Sequence, residues 1–131
     1  MPRQRWPLAS DRPAIELILA PAAGKPLPRT VLADTGAGSN RAGFELILDE
    51  RDCLLCEGIP CQAVKLGGAY SGYDPVFLLR VQIPTLGFDH YLRAVGVPQP
   101  PAGLGGIACF RLLNRVSFGN FGDSSGFGLE L

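Results

Sequence analysis

Glycine and proline interrupt this chain at short intervals, and their spacing limits the length of any regular element. Seventeen glycines and twelve prolines are spread along 131 residues and are not collected in one linker. Short strands joined by tight turns have this distribution, whereas the interior of a long helix excludes proline. The sequence therefore predicts an all-β fold, and its length predicts a single hydrophobic core.

The charge balance removes several classes of partner from consideration. Twelve basic residues stand against twelve acidic ones, so the formal net charge is zero. A nucleic acid or an anionic membrane attracts a strongly basic surface, and neither is expected as a partner. The arginines near the start are not followed by an apolar run, and no stretch approaches the roughly 18 apolar residues of a membrane span. We expect a soluble, cytoplasmic protein.

Short apolar runs bounded by turn residues mark the predicted strands. They cover residues 14–20, 29–33, 62–66, 75–84 and 88–97, with two strand ends at 116–118 and 126–131. The first two runs are separated by a turn, which predicts a hairpin. Residues 108–115 place apolar side chains on one face and predict a short helix. Residues 44–55 fit either a strand or an amphipathic helix, and the sequence does not decide between them.

The second arm of the first hairpin leads directly into an aspartate. The run Arg29-Thr30-Val31-Leu32-Ala33 ends at Asp34, which is followed by Thr35 and Gly36. A carboxylate at the end of an apolar strand must find hydrogen bonds or change its pKa. The Thr35 hydroxyl can supply a bond to backbone, and Gly36 permits a sharp turn and an unobstructed amide. A carboxylate that acts as a general acid or base requires this arrangement.

The segment Leu32-Ala33-Asp34-Thr35-Gly36-Ala37 resembles the active-site signature of the aspartic proteases. The chain length is similar to that of the retroviral-type (retropepsin-like) branch, in which two identical subunits each contribute one aspartate. Leu104-Gly105-Gly106-Ile107 and the predicted helix at 108–115 resemble the hydrophobic-hydrophobic-glycine element and helix behind the active-site loop, with Gly105 departing from the pattern. The resemblance spans residues 14–131 and leaves 1–13 as an N-terminal extension. It implies a closed, barrel-like acid protease fold with one short helix near the C-terminus and one lobe per chain.

A glycine-rich segment between these two elements is similar to the flap that closes over substrate in that family. It reads Gly67-Gly68-Ala69-Tyr70-Ser71-Gly72. The resemblance implies catalytic roles for Asp34, Thr35 and Gly36, and substrate contacts for Ala37, Gly67, Gly68, Ala69, Tyr70 and Ser71. It also implies a peptide or protein substrate, no cofactor or metal, and a homodimer whose interface includes residues 126–131 as interleaved strands.

Other residues allow other chemistry. Cys53, Cys56 and Cys61 lie close in sequence, and Cys109 is remote; free thiols, a disulfide, or a zinc site completed by Cys109 or His90 are all compatible with the spacing. A Cys–His nucleophile pair is formally possible, although a surface position for His90 is the simpler expectation. The acidic run at residues 49–52 is expected to form a solvated face.

Two further hypotheses compete with a protease. The fold of an aspartic protease can serve as a dimerisation or peptide-binding module without turnover. The Asp-Thr-Gly triplet can also occur by chance in a turn of an unrelated small β protein, since aspartate and glycine are common in turns. The last hypothesis is compatible with a monomer, whereas the protease requires a second chain.

Overall fold

A computed structural model describes residues 2–56, 59–66, 72–101 and 103–131. Ten strands and two short helices follow one another along the chain. In order they are β1 (Arg3–Pro7), β2 (Ala14–Leu19), β3 (Leu27–Ala33), β4 (Leu46–Asp49), α1 (Glu50–Leu55), β5 (Ile59–Lys65), β6 (Tyr73–Ile83), β7 (Phe88–Val97), β8 (Gly106–Ala108), α2 (Phe110–Leu113), β9 (Ser117–Gly119) and β10 (Gly126–Glu130).

Six of these strands close into a barrel. The strand order is β2-β3-β8-β4-β7-β6, and β6 pairs again with β2 through Ile18–Gln82 and Leu19–Val81. Most neighbours are antiparallel, but β3–β8 and β4–β7 are parallel. β5 lies outside the closed ring, paired only with β6 among the described strands. The predicted all-β, barrel-like fold is confirmed.

Alternating side chains explain why these segments form barrel strands. In β2, Ile15, Leu17 and Leu19 are fully buried, while Glu16 between them is exposed. The same period of two runs through the second half of β6, as expected for strands with one face on a core. Their inward side chains form the main apolar cluster, which also receives residues from α1 and α2.

The predicted strands are found with small shifts, and the undecided segment contains both kinds of structure. Residues 46–49 form β4 and residues 50–55 form α1, so the described residues contain two short α-helices where one helix was expected. Asp49 caps α1 by accepting a hydrogen bond from the Arg51 amide at 2.9 Å. The three consecutive apolar residues 46–48 do not reveal this change of element, but the Asp49 cap explains where it occurs.

The acidic run at the start of α1 is only partly solvated, which corrects the expectation from sequence. Asp52 is buried, and both of its carboxylate oxygens accept hydrogen bonds from the Arg29 guanidinium, at 2.8 and 2.9 Å. Arg29 lies on β3, so this bidentate pair links α1 to the strand that leads to Asp34.

The two chain ends form a separate three-stranded sheet in the order β1-β10-β9. No element was predicted for residues 1–13, yet β1 pairs with β10 from Arg3–Glu130 to Pro7–Gly126. β10 therefore has both edges occupied within its own chain. The turn that follows β1 closes between Ala9 and Arg12. Neither described helix is long and apolar enough to cross a membrane.

Candidate active site

Asp34 lies immediately after β3, where the chain leaves the barrel. The last three residues of β3 are buried, Asp34 is half-buried, and Thr35 and Gly36 are exposed. The backbone amide of Asp34 donates to the Ala108 carbonyl at 3.0 Å, continuing the parallel pairing of β3 with β8. The barrel therefore fixes the position of the aspartate backbone, while its side chain lies at the surface.

The carboxylate is oriented by its own loop. Asp34 Oδ1 accepts a hydrogen bond from the Gly36 amide at 2.8 Å, and the Asp34 carbonyl accepts one from Ala37 at 3.2 Å. In the described part of the chain, Oδ2 accepts no hydrogen bond from protein and the Thr35 hydroxyl has no protein partner. One carboxylate oxygen is thus held in place, and the other is free to exchange a proton with a ligand or water.

Strand β8 and helix α2 lie directly behind this loop. Phe110, the first residue of α2, donates its amide to the Ala37 carbonyl at 2.9 Å. The supporting segment lies within the predicted residues 104–115: β8 begins at Gly106, and its register places Ile107 beside Leu32 and Ala108 beside Ala33. Leu104 and Gly105 precede β8, and the predicted helix at 108–115 is shortened to Phe110–Leu113. A short strand and a short helix within residues 104–115 therefore support the loop.

A second apolar cluster extends from the barrel to the loop. Its buried members include Leu32, which lies two positions before Asp34, and Ile107 on β8. Partly buried apolar side chains surround it: Ala37, Ala42, Val64, Leu66 and Leu104. They come from the loop, from the end of the β5–β6 hairpin and from the segment before β8. An apolar surface is therefore available beside the aspartate.

The predicted flap is described only in its arms. β5 and β6 pair antiparallel, with Lys65 opposite Tyr73 as the last pair before the tip. Gly67, Gly68, Ala69, Tyr70 and Ser71, which were predicted to contact substrate, lie outside the described residues. Val64 and Leu66 nevertheless pack against the same cluster as Ala37, so this hairpin approaches the Asp34 loop.

The described cysteines and the histidine do not form a second catalytic centre with each other. Cys53 and Cys56 are buried in the main core, Cys109 belongs to the second cluster, and His90 is exposed on β7 with its ring edge against Phe88. Burial, with smaller contributions from Asp34 and Glu45, raises the pKa of the Cys109 thiol to about 12. Cys109 is therefore a packed thiol and not an activated nucleophile. Among the described residues, no cluster of three or more potential metal ligands is present.

One pair near the loop was not anticipated from sequence. Glu45 is buried just before β4, where one carboxylate oxygen accepts from the Arg93 amide at 3.0 Å. The other oxygen lies 3.6 Å from Arg111 Nε on α2, and Arg111 Nη1 donates to the Ala42 carbonyl. These partners are far apart in sequence, and no motif links them.

Comparisons with protein-family models, with curated proteins and with solved structures found no significant match for this chain. The geometry around Asp34 is therefore the basis of any functional argument.

Proposed function

We propose that the chain is a retropepsin-like aspartic endopeptidase that hydrolyses peptide bonds with two Asp34 side chains, one from each chain of a homodimer. The orientation of Asp34 carries this proposal. The carboxylate stands at the end of a buried strand, with Oδ1 held by the Gly36 amide at 2.8 Å and with the side chain partly exposed. An aspartate that serves only a turn does not need its amide bound to a parallel strand. The Asp34 amide is bound to the Ala108 carbonyl of β8, which runs parallel to β3.

Two such carboxylates account for peptide hydrolysis without a metal or a covalent intermediate. When two aspartates lie close together, they cannot both ionise easily, and the pair holds one proton between them. The charged member takes a proton from a bound water, which attacks the peptide carbonyl. The protonated member donates to the carbonyl oxygen, and a proton is then passed to the leaving amine.

The second carboxylate has to come from another chain, because the triplet Asp34-Thr35-Gly36 occurs once in this sequence. Thr35 and Gly36 are exposed beside Asp34, so this face is accessible to a second copy. The terminal segment 126–131 was expected to interleave with a partner, but β10 already pairs on both sides with β1 and β9. In a homodimer with this fold, the terminal sheet offers the outer edges of β1 and β9.

The apolar cluster beside the loop supports a peptide as substrate. Ala37, Val64, Leu66 and Leu104 are partly exposed around buried Leu32 and Ile107. An extended peptide that crosses Asp34 would bury side chains against this surface, and burial of apolar area favours binding by about 25 cal/mol per Å².

Cleavage of a peptide library tests the proposal. The wild-type chain and an Asp34→Asn variant are incubated with the library at acid and neutral pH, and products are identified by mass spectrometry. Asp11→Asn is the matched control, because it makes the same change at an exposed turn outside the site. We expect the wild type and the control to cleave peptides and a statine-type inhibitor to block this cleavage. Asp34→Asn should cleave none.

Three results would count against the proposal. Cleavage that persists in Asp34→Asn would assign the activity to other residues or to a contaminant. Binding of peptides by the wild type and by Asp34→Asn, with no cleavage by either, would favour the catalytically silent binding module. A strictly monomeric state at high concentration in sedimentation would remove the source of the second carboxylate.

A further inference from the structure

The buried carboxylate of Glu45 depends on a cation from a distant element. Glu45 is 7 % exposed, and the Arg93 amide alone does not balance its charge. Arg111 Nε lies 3.6 Å from the second oxygen. A buried carboxylate that loses its partner keeps the full cost of desolvation, so the Arg111 side chain is constrained to this position.

The same guanidinium also binds the Asp34 loop, defined here as residues 34–42. Arg111 Nη1 donates to the carbonyl of Ala42, the last residue of the loop. Nε faces Glu45, the residue immediately before β4. A guanidinium presents several donors in a fixed planar arrangement, so one side chain can hold two acceptors at once.

Ala37 and Ala42 pack against the second apolar cluster, but few other hydrogen bonds among the described residues hold this loop against the barrel. Thr35, Gly36, Ser39, Asn40 and Arg41 are exposed. In its first half, the loop is joined to β8 by the Asp34 amide, which donates to the Ala108 carbonyl, and to α2 by the Phe110 amide, which donates to the Ala37 carbonyl. In its second half, Asn114 Nδ2 donates to Asn40 Oδ1 at 3.2 Å, and Arg111 donates to the Ala42 carbonyl. Of these two hydrogen bonds in the second half, only the one from Arg111 comes from a charged side chain that also contacts a buried partner, Glu45.

We propose that Arg111, held by Glu45, is a positioning residue that fixes the Asp34 loop in the geometry required for catalysis. This inference rests on the proposed protease function. Arg111 acts on the reaction through the loop backbone and not by contact with the reacting atoms. A displacement of about 1 Å at a catalytic group can reduce the rate about a hundredfold, so a modest relaxation of the loop is sufficient.

Steady-state kinetics of an Arg111→Met variant tests the proposal, with Arg115→Met as matched control. Arg115 lies four residues later and is exposed. We expect Arg111→Met to lower kcat by about tenfold to a hundredfold while KM changes less than about threefold, because the loop positions a group that acts in the transition state. Arg111→Lys should recover part of kcat, since an ammonium can satisfy one acceptor but not both. Equal kinetics for Arg111→Met and Arg115→Met would overturn the proposal.

A double variant separates positioning from a folding defect. Arg111→Met combined with Glu45→Gln leaves no unpaired buried charge, so it should fold even if Arg111→Met does not. Its kcat should remain as low as that of the single variant, because the contact to Ala42 is still absent. A double variant with wild-type kcat would refute a positioning role.

Amide hydrogen exchange gives a readout that does not need activity. In the double variant, the Gly36, Ala37 and Ala42 amides should exchange at least about tenfold faster, while amides of the β6–β7 pair other than Arg93, whose amide donates to Glu45, keep their wild-type rates. If the wild type cleaves no peptide, the protease proposal fails, and exchange still decides whether Arg111 holds the loop. Unchanged exchange at the three loop amides would overturn the positioning role.

Discussion

Replacement of Gly106 by alanine should damage the barrel at the strand that supports Asp34. A Cβ at this position would lie 2.1 Å from the Ile47 carbonyl oxygen and 2.9 Å from Leu48 Cδ2. An ordinary contact is at least about 1 Å longer, and a backbone carbonyl within a strand pair cannot rotate away. β8 would have to separate from β4 near Gly106 and Leu48, which are paired in the native register.

The size of the effect follows from these two changes. Overpacking in a core typically costs about 1–3 kcal/mol, and loss of one ladder hydrogen bond adds about 1 kcal/mol. We expect the free energy of unfolding to fall by about 2–4 kcal/mol, a large fraction of the 5–15 kcal/mol typical of a domain. With a urea slope of about 2 kcal/mol per molar, the midpoint should fall by about 1–2 M.

Urea denaturation followed by circular dichroism measures this shift, and the neighbouring glycine provides the control. The three atoms nearest to a Cβ on Gly105 all belong to the Arg29 side chain, at 3.1, 3.2 and 3.4 Å. These contacts are about 1 Å longer than the Gly106 contact with the Ile47 carbonyl and need shifts of only a few tenths of an ångström, so Gly105→Ala should cost less than about 1 kcal/mol. A Gly106→Ala variant as stable as Gly105→Ala would refute the close approach of β8 to β4.

Three further variants test separate parts of the structure. Asp11 lies in the two-residue turn after β1 with a φ of 61°, a left-handed conformation that favours glycine. Asp11→Gly should relieve this strain and raise the free energy of unfolding, measured by urea denaturation, by about 0.5–1 kcal/mol. A loss of stability would contradict the conformation. Asp52→Asn should lower the free energy of unfolding by about 1–3 kcal/mol because it breaks a largely buried pair with Arg29. The double variant Asp52→Asn/Arg29→Met should lose less free energy of unfolding than the two single variants added together. Strict additivity would argue against the pair. The Arg80 guanidinium lowers the pKa of Asp89 from 3.8 to about 2, so this carboxylate stabilises the fold above pH 3.8 and loses its contribution as the pH falls toward 2. Asp89→Asn should therefore flatten the pH dependence of the melting temperature between pH 3.8 and 2. An unchanged profile would contradict the ion pair.

Local signals in the sequence identify strands well where turn residues bound them. β7 covers the predicted residues 88–97, since a turn precedes it and Pro98 follows it. β1 was not predicted because Arg3-Gln4-Arg5-Trp6-Pro7 has no apolar alternation, and its stability comes from pairing with β10 at the other end of the chain. Tertiary pairing of this kind is not encoded in a local pattern.

In the candidate site, too, local patterns could be predicted and pairing between distant segments could not. Asp34 and its loop could be located from six consecutive residues, and their position after a buried strand agrees with that prediction. The strand and the helix behind the loop lie within the predicted residues 104–115. The register that brings Ile107 and Ala108 to β3 was not predicted, because pairing between distant segments leaves no local pattern. Asp52 was expected in solvent because its partner Arg29 lies 23 positions away. Charge compensation between distant elements becomes visible only in the folded chain.

The dependence of cleavage on the fraction of active chains tests most directly whether Asp34 is half of a site. Wild-type and Asp34→Asn chains are mixed in varied proportions at constant total concentration, allowed to exchange, and assayed with one peptide substrate. If each site needs Asp34 from both chains, activity should follow the square of the wild-type fraction and fall to about one quarter in an equal mixture. Activity proportional to the wild-type fraction, about one half in that mixture, would show that a single chain is sufficient and would contradict the account.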